Sequence, residues 1–93
     1  MEDFFQVGII TSPHGVRGEM KVFPTTDDVR RFKRLKEVIA DTGKGRITLE
    51  IQGVKFLKNL VVLKFRGIES CDEAEKYRKV SLLVSRENAV RLG

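Results

Sequence analysis

The sequence predicts an all-β protein, a small six-stranded antiparallel, Greek-key-like β-barrel with two short helical turns. Three observations carry that expectation. Apolar and polar residues alternate in short runs along most of the chain, as they do in half-buried strands. Glycine-rich or polar breaks separate the runs. Two stretches carry helix-start signals, and they do not recur as strand–helix–strand units, which argues against a parallel sheet.

Each element has its own signal. Phe5, Val7 and Ile9 share one parity of a first strand, with Phe4, Gln6, Gly8 and Ile10 on the other. A loop then holds Pro13, His14, Gly15, Arg17 and Gly18. Its glycines adopt positive φ without steric cost, its proline fixes φ, and its arginine presents five donors. Met20 and Val22 share a face of the second strand, which Pro24 ends because it has no N–H for a ladder. Thr25-Thr26-Asp27-Asp28 reads as a helix start, and Val29, Phe32 and Leu35 then form a narrow apolar stripe. Lys36 to Ala40 reads as a third, short strand, and Asp41 to Gly45 as a turn. In the fourth strand Ile47, Leu49 and Ile51 face one way. At Gly53 the parity flips, so that Val54 and Phe56 become the inward residues, and a β-bulge at Gln52-Gly53 would bend the strand as a barrel requires. After a turn at Lys58-Asn59, Val61, Leu63 and Phe65 line one face of the fifth strand. Ser70-Cys71-Asp72-Glu73 has the form of a capping box. Acids come early in that helix and Lys76, Arg78 and Lys79 late, while Cys71, Ala74 and Tyr77 form its apolar side. Val80, Leu82 and Val84 read as the sixth strand. The barrel is expected over 1–85, with 86–93 the start of a linker.

Composition narrows the functional classes. Ninety-three residues, 41% hydrophobic and 33% charged, suit one soluble globular domain rather than a disordered chain. No apolar run approaches the roughly 20 residues that span a bilayer, so no membrane role is expected. The acidic start Met1-Glu2-Asp3 is unlike a secretory signal, and the lone Cys71 fits a reducing compartment; the expected location is cytoplasmic. A net charge of +5 favours polyanionic partners, nucleic acid above all.

Chemistry is poorly provided for. A single histidine and a single cysteine supply neither a nucleophile–base pair nor a metal ligand set, and no Walker-type or dinucleotide fingerprint is present. No catalytic, metal or cofactor site, no small-molecule substrate and no enzymatic role are therefore expected. His14 reads as a loop anchor, donating a ring N–H to a backbone carbonyl. Arg30-Arg31-Phe32-Lys33-Arg34-Leu35-Lys36 places five cations in seven residues, the pattern of a phosphate-binding ridge. Candidate RNA contacts are thus Arg17, Lys21, Arg30, Arg31, Lys33 and Arg34, around a loop framework of Pro13, His14, Gly15, Gly18 and Glu19. The phenylalanines Phe4, Phe5, Phe23, Phe32, Phe56 and Phe65 mostly fall at core parity, so contact through phosphate and shape is expected rather than base stacking.

From Val7 to Val22 the chain reads Val-Gly-Ile-Ile-x-x-x-His-Gly-Val-x-Gly-Glu-x-Lys-Val, which closely resembles the N-terminal signature of the RimM family of ribosome maturation factors. The likeness continues through Pro24-Thr25-Thr26-Asp27 and Arg31-Phe32. It returns in Lys64-Phe65-Arg66-Gly67-Ile68-Glu69 and Ala74-Glu75. The resemblance implies a barrel of the type shared with a translation elongation factor domain. It implies binding to the immature small ribosomal subunit, to small-subunit ribosomal protein nineteen in its head and to 16S rRNA, in support of rRNA processing. His14, Gly15, Arg17, Gly18 and Glu19 match the family motif.

Two departures stand out. The family continues into a second barrel of the PRC type, absent from this chain, and Arg78-Lys79 stands where Arg-Gly is frequent. The chain is expected to be a monomer. Two other readings remain at this point: a barrel module of a flavin or nicotinamide reductase, and a protein-only interaction domain.

Overall fold

The computed structural model describes residues 4–26 and 29–85. Six strands, β1 (Phe4–His14), β2 (Glu19–Pro24), β3 (Glu37–Asp41), β4 (Arg46–Phe56), β5 (Val61–Phe65) and β6 (Ser81–Ser85), close a barrel in the order β1-β2-β5-β4-β3-β6. Every pairing is antiparallel. Two short helices, α1 (Arg31–Arg34) and α2 (Cys71–Glu75), lie in the β2–β3 and β5–β6 connections. Strand directions alternate round the barrel, so those two connections cross opposite ends. The β1–β2 loop shares one end with α2, and the β4–β5 turn shares the other with α1.

The core is apolar throughout. Phe32, Phe65, Ile10, Met20, Leu63 and Leu82 are its largest wholly buried side chains, and no polar or charged described residue is buried. Phe32 enters from α1 because β1 makes room for it. At Gly8 an added Cβ would stand 2.6 Å from Val22 Cγ1 and 3.5 Å from Phe32 Cζ. A side chain there would push β2 or the ring outward, so glycine in mid-strand marks a close approach. Residues Ala74 and Ile68 plug the opposite end.

Several expectations hold in detail. β4 shifts register between Ile51 and Gly53, the expected bulge. Ser70 caps α2, its hydroxyl accepting from Glu73 N at 3.2 Å. The Glu73 carboxylate accepts from Glu69 N at 3.4 Å, one residue beyond the usual capping-box partner.

Others are corrected. β1 carries two irregularities, between Gln6 and Gly8 against β6 and between Ile10 and Ser12 against β2. Its core residues are consequently Val7 and Ile10, not Phe5, Val7 and Ile9. Each extra residue inverts the parity of the residues beyond it. β4 pairs with β3 along its first half and with β5 along its second, so Ile47 and Phe56 stand where it has a partner on one side only, exposed at the barrel rims rather than inward. Val29 is also exposed, leaving Phe32 and Leu35 as the buried part of its stripe. α1 begins at Arg31, capped by Arg30 without a side-chain bond; Asp27 and Asp28 of the expected cap lie outside the described residues. Lys76, Arg78 and Lys79 follow the end of α2, where Arg78 Nε pairs with Glu75 Oε1 at 2.9 Å. The expected linker, 86–93, likewise lies outside the described residues.

Candidate functional site

At one end of the barrel the glycine loop is wedged against the approach to α2. His14 and Glu19 face each other at the ends of β1 and β2. Gly15 and Gly18 take φ of +74° and +90°, a region that side chains other than glycine occupy with strain. Gly18 also has no space. A Cβ there would stand 2.2 Å from Ile68 O and 3.0 Å from Glu69 N. The same Ile68 carbonyl accepts from Lys64 Nζ, which also donates to Phe65 O and pairs with the Glu69 carboxylate. Gly18 and Gly67-Ile68-Glu69, which are distant in sequence, thus form one framework. His14 is half-buried at the end of β1. Its ring makes no hydrogen bond to another described residue, so the carbonyl bond expected of it is absent. Val16 and Arg17 project from the tip, exposed.

Between the ends runs a cationic stretch of outer wall. Glu19 Oε2 pairs with Lys55 Nζ at 3.1 Å, and across the ladders Lys21, Val62 and Lys55 stand in register. Val62 is only 1% exposed yet lies outside the core cluster. Flanked by two lysines on the outer face, it is covered in the way that long cationic side chains cover apolar surface with their stems.

The other end is open. Behind α1 lies a cleft of about 550 Å³ lined by Phe23, Pro24, Val29 and Arg30 on one side and by Phe56 to Val61 on the other. Phe23 is 51% exposed and Phe56 39%. Lys33 Nζ stands 5.4 Å from the centre of the Phe56 ring, within range of a cation–π attraction. Among the described residues, Arg30 and Lys58 line the cleft as cations beside Lys33.

The predicted contacts therefore fall into three places. Arg30, Arg31, Lys33 and Arg34 lie together on and beside α1. Arg17 is at the opposite end of the barrel, and Lys21 is on the wall between. Arg17 and the α1 ridge do not form one local patch. Phe23 and Phe56, expected in the core, belong to the exposed cleft. For Phe23 the sequence does carry the signal: with Met20 and Val22 inward, its parity points out. Among the described residues, no group of three or more His, Cys, Asp and Glu is placed to hold a metal ion.

The sequence profile of the RimM N-terminal domain matches residues 5–89. A "Ribosome maturation factor RimM" from Clostridium botulinum (strain Langeland) is 52% identical over 99% of this chain and 54% of its own length. One of the same name from Clostridium perfringens (strain 13) is 48% identical over 99% of this chain and 53% of its own length. The chain thus spans about half the length of the curated relatives it matches. A crystal structure from Pseudomonas aeruginosa, provisionally described as a 16S ribosomal RNA processing protein RimM, superposes with a TM-score of 0.84 at 21% identity, covering 91% of this chain and 52% of its own. At that identity the likeness speaks for the fold.

Proposed function

This chain belongs to the RimM N-terminal domain family, and on that premise we propose that it is the ribosome-binding barrel of a small-subunit maturation factor. The observation that carries this reading is the 52% identity, over 99% of the chain, to a relative named as a ribosome maturation factor. Its targets are the head of the immature small subunit, through 16S rRNA and small-subunit ribosomal protein nineteen, and the outcome is support of 16S rRNA processing in the cytoplasm. The domain acts as a monomer and by binding alone. It extends over 1–85, and 86–93 lead towards a PRC-type barrel that shares in gripping the ribosomal protein.

The charge distribution supports the reading. Eighteen lysines and arginines against thirteen acids give +5, and four of the cations cluster on and beside α1. Such a ridge gains affinity by displacing counterions from phosphates. The framework at the glycine loop holds two connections together and presents Arg17 at its tip.

The test is binding of the chain to immature small subunits, to naked head-region 16S RNA and to isolated ribosomal protein nineteen across a salt series. Binding to subunits should weaken steeply with salt. Arg31→Gln and Lys33→Gln should each reduce the log–log slope by about one. Absence of subunit binding at low salt overturns the reading.

A further inference from the structure

The cleft behind α1 is an exposed apolar feature with a consistent chemical surround. Five of its lining residues are Phe23, Val29, Phe56, Leu57 and Leu60, and among the described residues its charged lining residues, Arg30 and Lys58, are both cations. Resting on the ribosomal reading above, we propose that this cleft is a binding site for single-stranded RNA, taking one unpaired base against Phe23 and Phe56 with its phosphates on Lys58 and the α1 cations.

Four features fit that occupant. Phe23 and Phe56 are both exposed, with Lys33 over the ring of Phe56, and every base offers a π-face to an accessible ring. The volume, about 550 Å³, lies within the roughly 300–1,000 Å³ typical of small-ligand sites; it admits a nucleotide but not a helix. Asn59, at the turn that forms one wall, offers an amide with both donor and acceptor for a base edge. From Arg30 the cations continue through Arg31, Lys33 and Arg34, a track for the phosphates on either side of an inserted base. In a duplex the bases are stacked on one another and their faces are not available, so this geometry selects unpaired strands. An acidic, apolar protein segment would also meet cations and apolar walls here, but would make little use of two exposed rings beside an amide.

The experiment compares the chain with its Phe23→Ala, Phe56→Leu and Lys58→Gln variants. The probes are a labelled oligouridylate, an oligoadenylate, an RNA duplex of equal length and immature small subunits, each across a salt series. Single strands should bind more tightly than the duplex. Phe23→Ala should weaken single-strand binding roughly tenfold with the salt slope unchanged, whereas Lys58→Gln should lower the slope by about one. Phe56→Leu keeps apolar volume and removes the ring, so a loss there isolates stacking from hydrophobicity. Melting temperatures of the Phe23 and Phe56 variants should stay close to that of the parent, since both side chains lie outside the core. Equal affinity for single strands and duplex, or single-strand binding indifferent to both phenylalanine variants, overturns the proposal. So does loss of subunit binding by Phe23→Ala without any effect on single strands, which would assign the cleft to a protein segment. Phe23-dependent single-strand binding by a chain that ignores immature subunits would sink the ribosomal reading and leave the RNA cleft standing.

Discussion

The two ends of this barrel are built on opposite plans. At the glycine-loop end, backbone meets backbone: Gly18 lies against the Ile68 carbonyl, and Lys64 ties that carbonyl to Glu69. At the α1 end, Phe32 and Leu35 are sunk in the core, while Phe23, Val29, Phe56 and Leu57 remain exposed among cations. One end uses the residues of the family signature to hold itself together. The other carries more of the surface that a partner could use. A signature motif can thus record what a fold needs at its tightest point rather than where the protein touches its target.

The largest expected effect lies at that tight point. Gly18→Ala sets a Cβ 2.2 Å from a carbonyl oxygen and forces a φ of +90° on alanine. A loss of about 3 kcal/mol or more in chemical denaturation is expected, since clash and backbone strain add. A loss below about 1 kcal/mol would show that the loop can lift from Ile68, and the contrast between the ends would collapse. Gly15→Ala serves as its control. With φ at +74° but nothing within 4 Å of an added Cβ, it should lose only the left-handed penalty, about 1 kcal/mol. Equal losses at the two glycines would mean that conformation, not packing, makes the motif.

A smaller effect of opposite sign tests the neighbouring turn. Lys79 has φ of +66°, alone among described non-glycine residues, and its N–H donates to Ile10 O at 2.7 Å. It is the residue that departs from the Arg-Gly pattern, and the departure falls where the backbone favours glycine. Lys79→Gly should stabilise the chain by about 0.5–1 kcal/mol, the relief of left-handed strain less the added entropy of the unfolded glycine. Unchanged or lower stability would show that the lysine side chain contributes something the backbone argument omits.

Much of the fold is legible in the chain because it depends on local signals. Ser70 with Glu73, the parity flip at Gly53 and the stop at Pro24 each specify geometry within a few residues, and each is found. β1 misleads because alternation reports a face only while the ladder is regular, and two irregularities interrupt it. The candidate contacts do not converge for a different reason. Whether Arg17 and the α1 ridge share a surface depends on which connections cross which end, and that is a property of strand order. The rim positions of Phe56 and Ile47 depend on how β4 is shared between β3 and β5, also a non-local fact.

The smallest expected change in stability is the most informative about the loop. Arg17 is exposed at the tip, beside an exposed Val16, and among the described residues the side-chain bonds of the framework below are made by Lys64 and Glu69. Arg17→Ala should therefore move the unfolding free energy by no more than about 0.5 kcal/mol, as is usual for surface substitutions. If Arg17 contacts RNA phosphate, the same variant should reduce the salt slope of subunit binding by about one while Gly15→Ala leaves that slope unchanged. An unaltered slope would confine binding to the wall and the α1 end, making the glycine loop purely structural. A stability loss above about 1 kcal/mol would instead place Arg17 in the framework, since an exposed side chain without partners has no means of producing one.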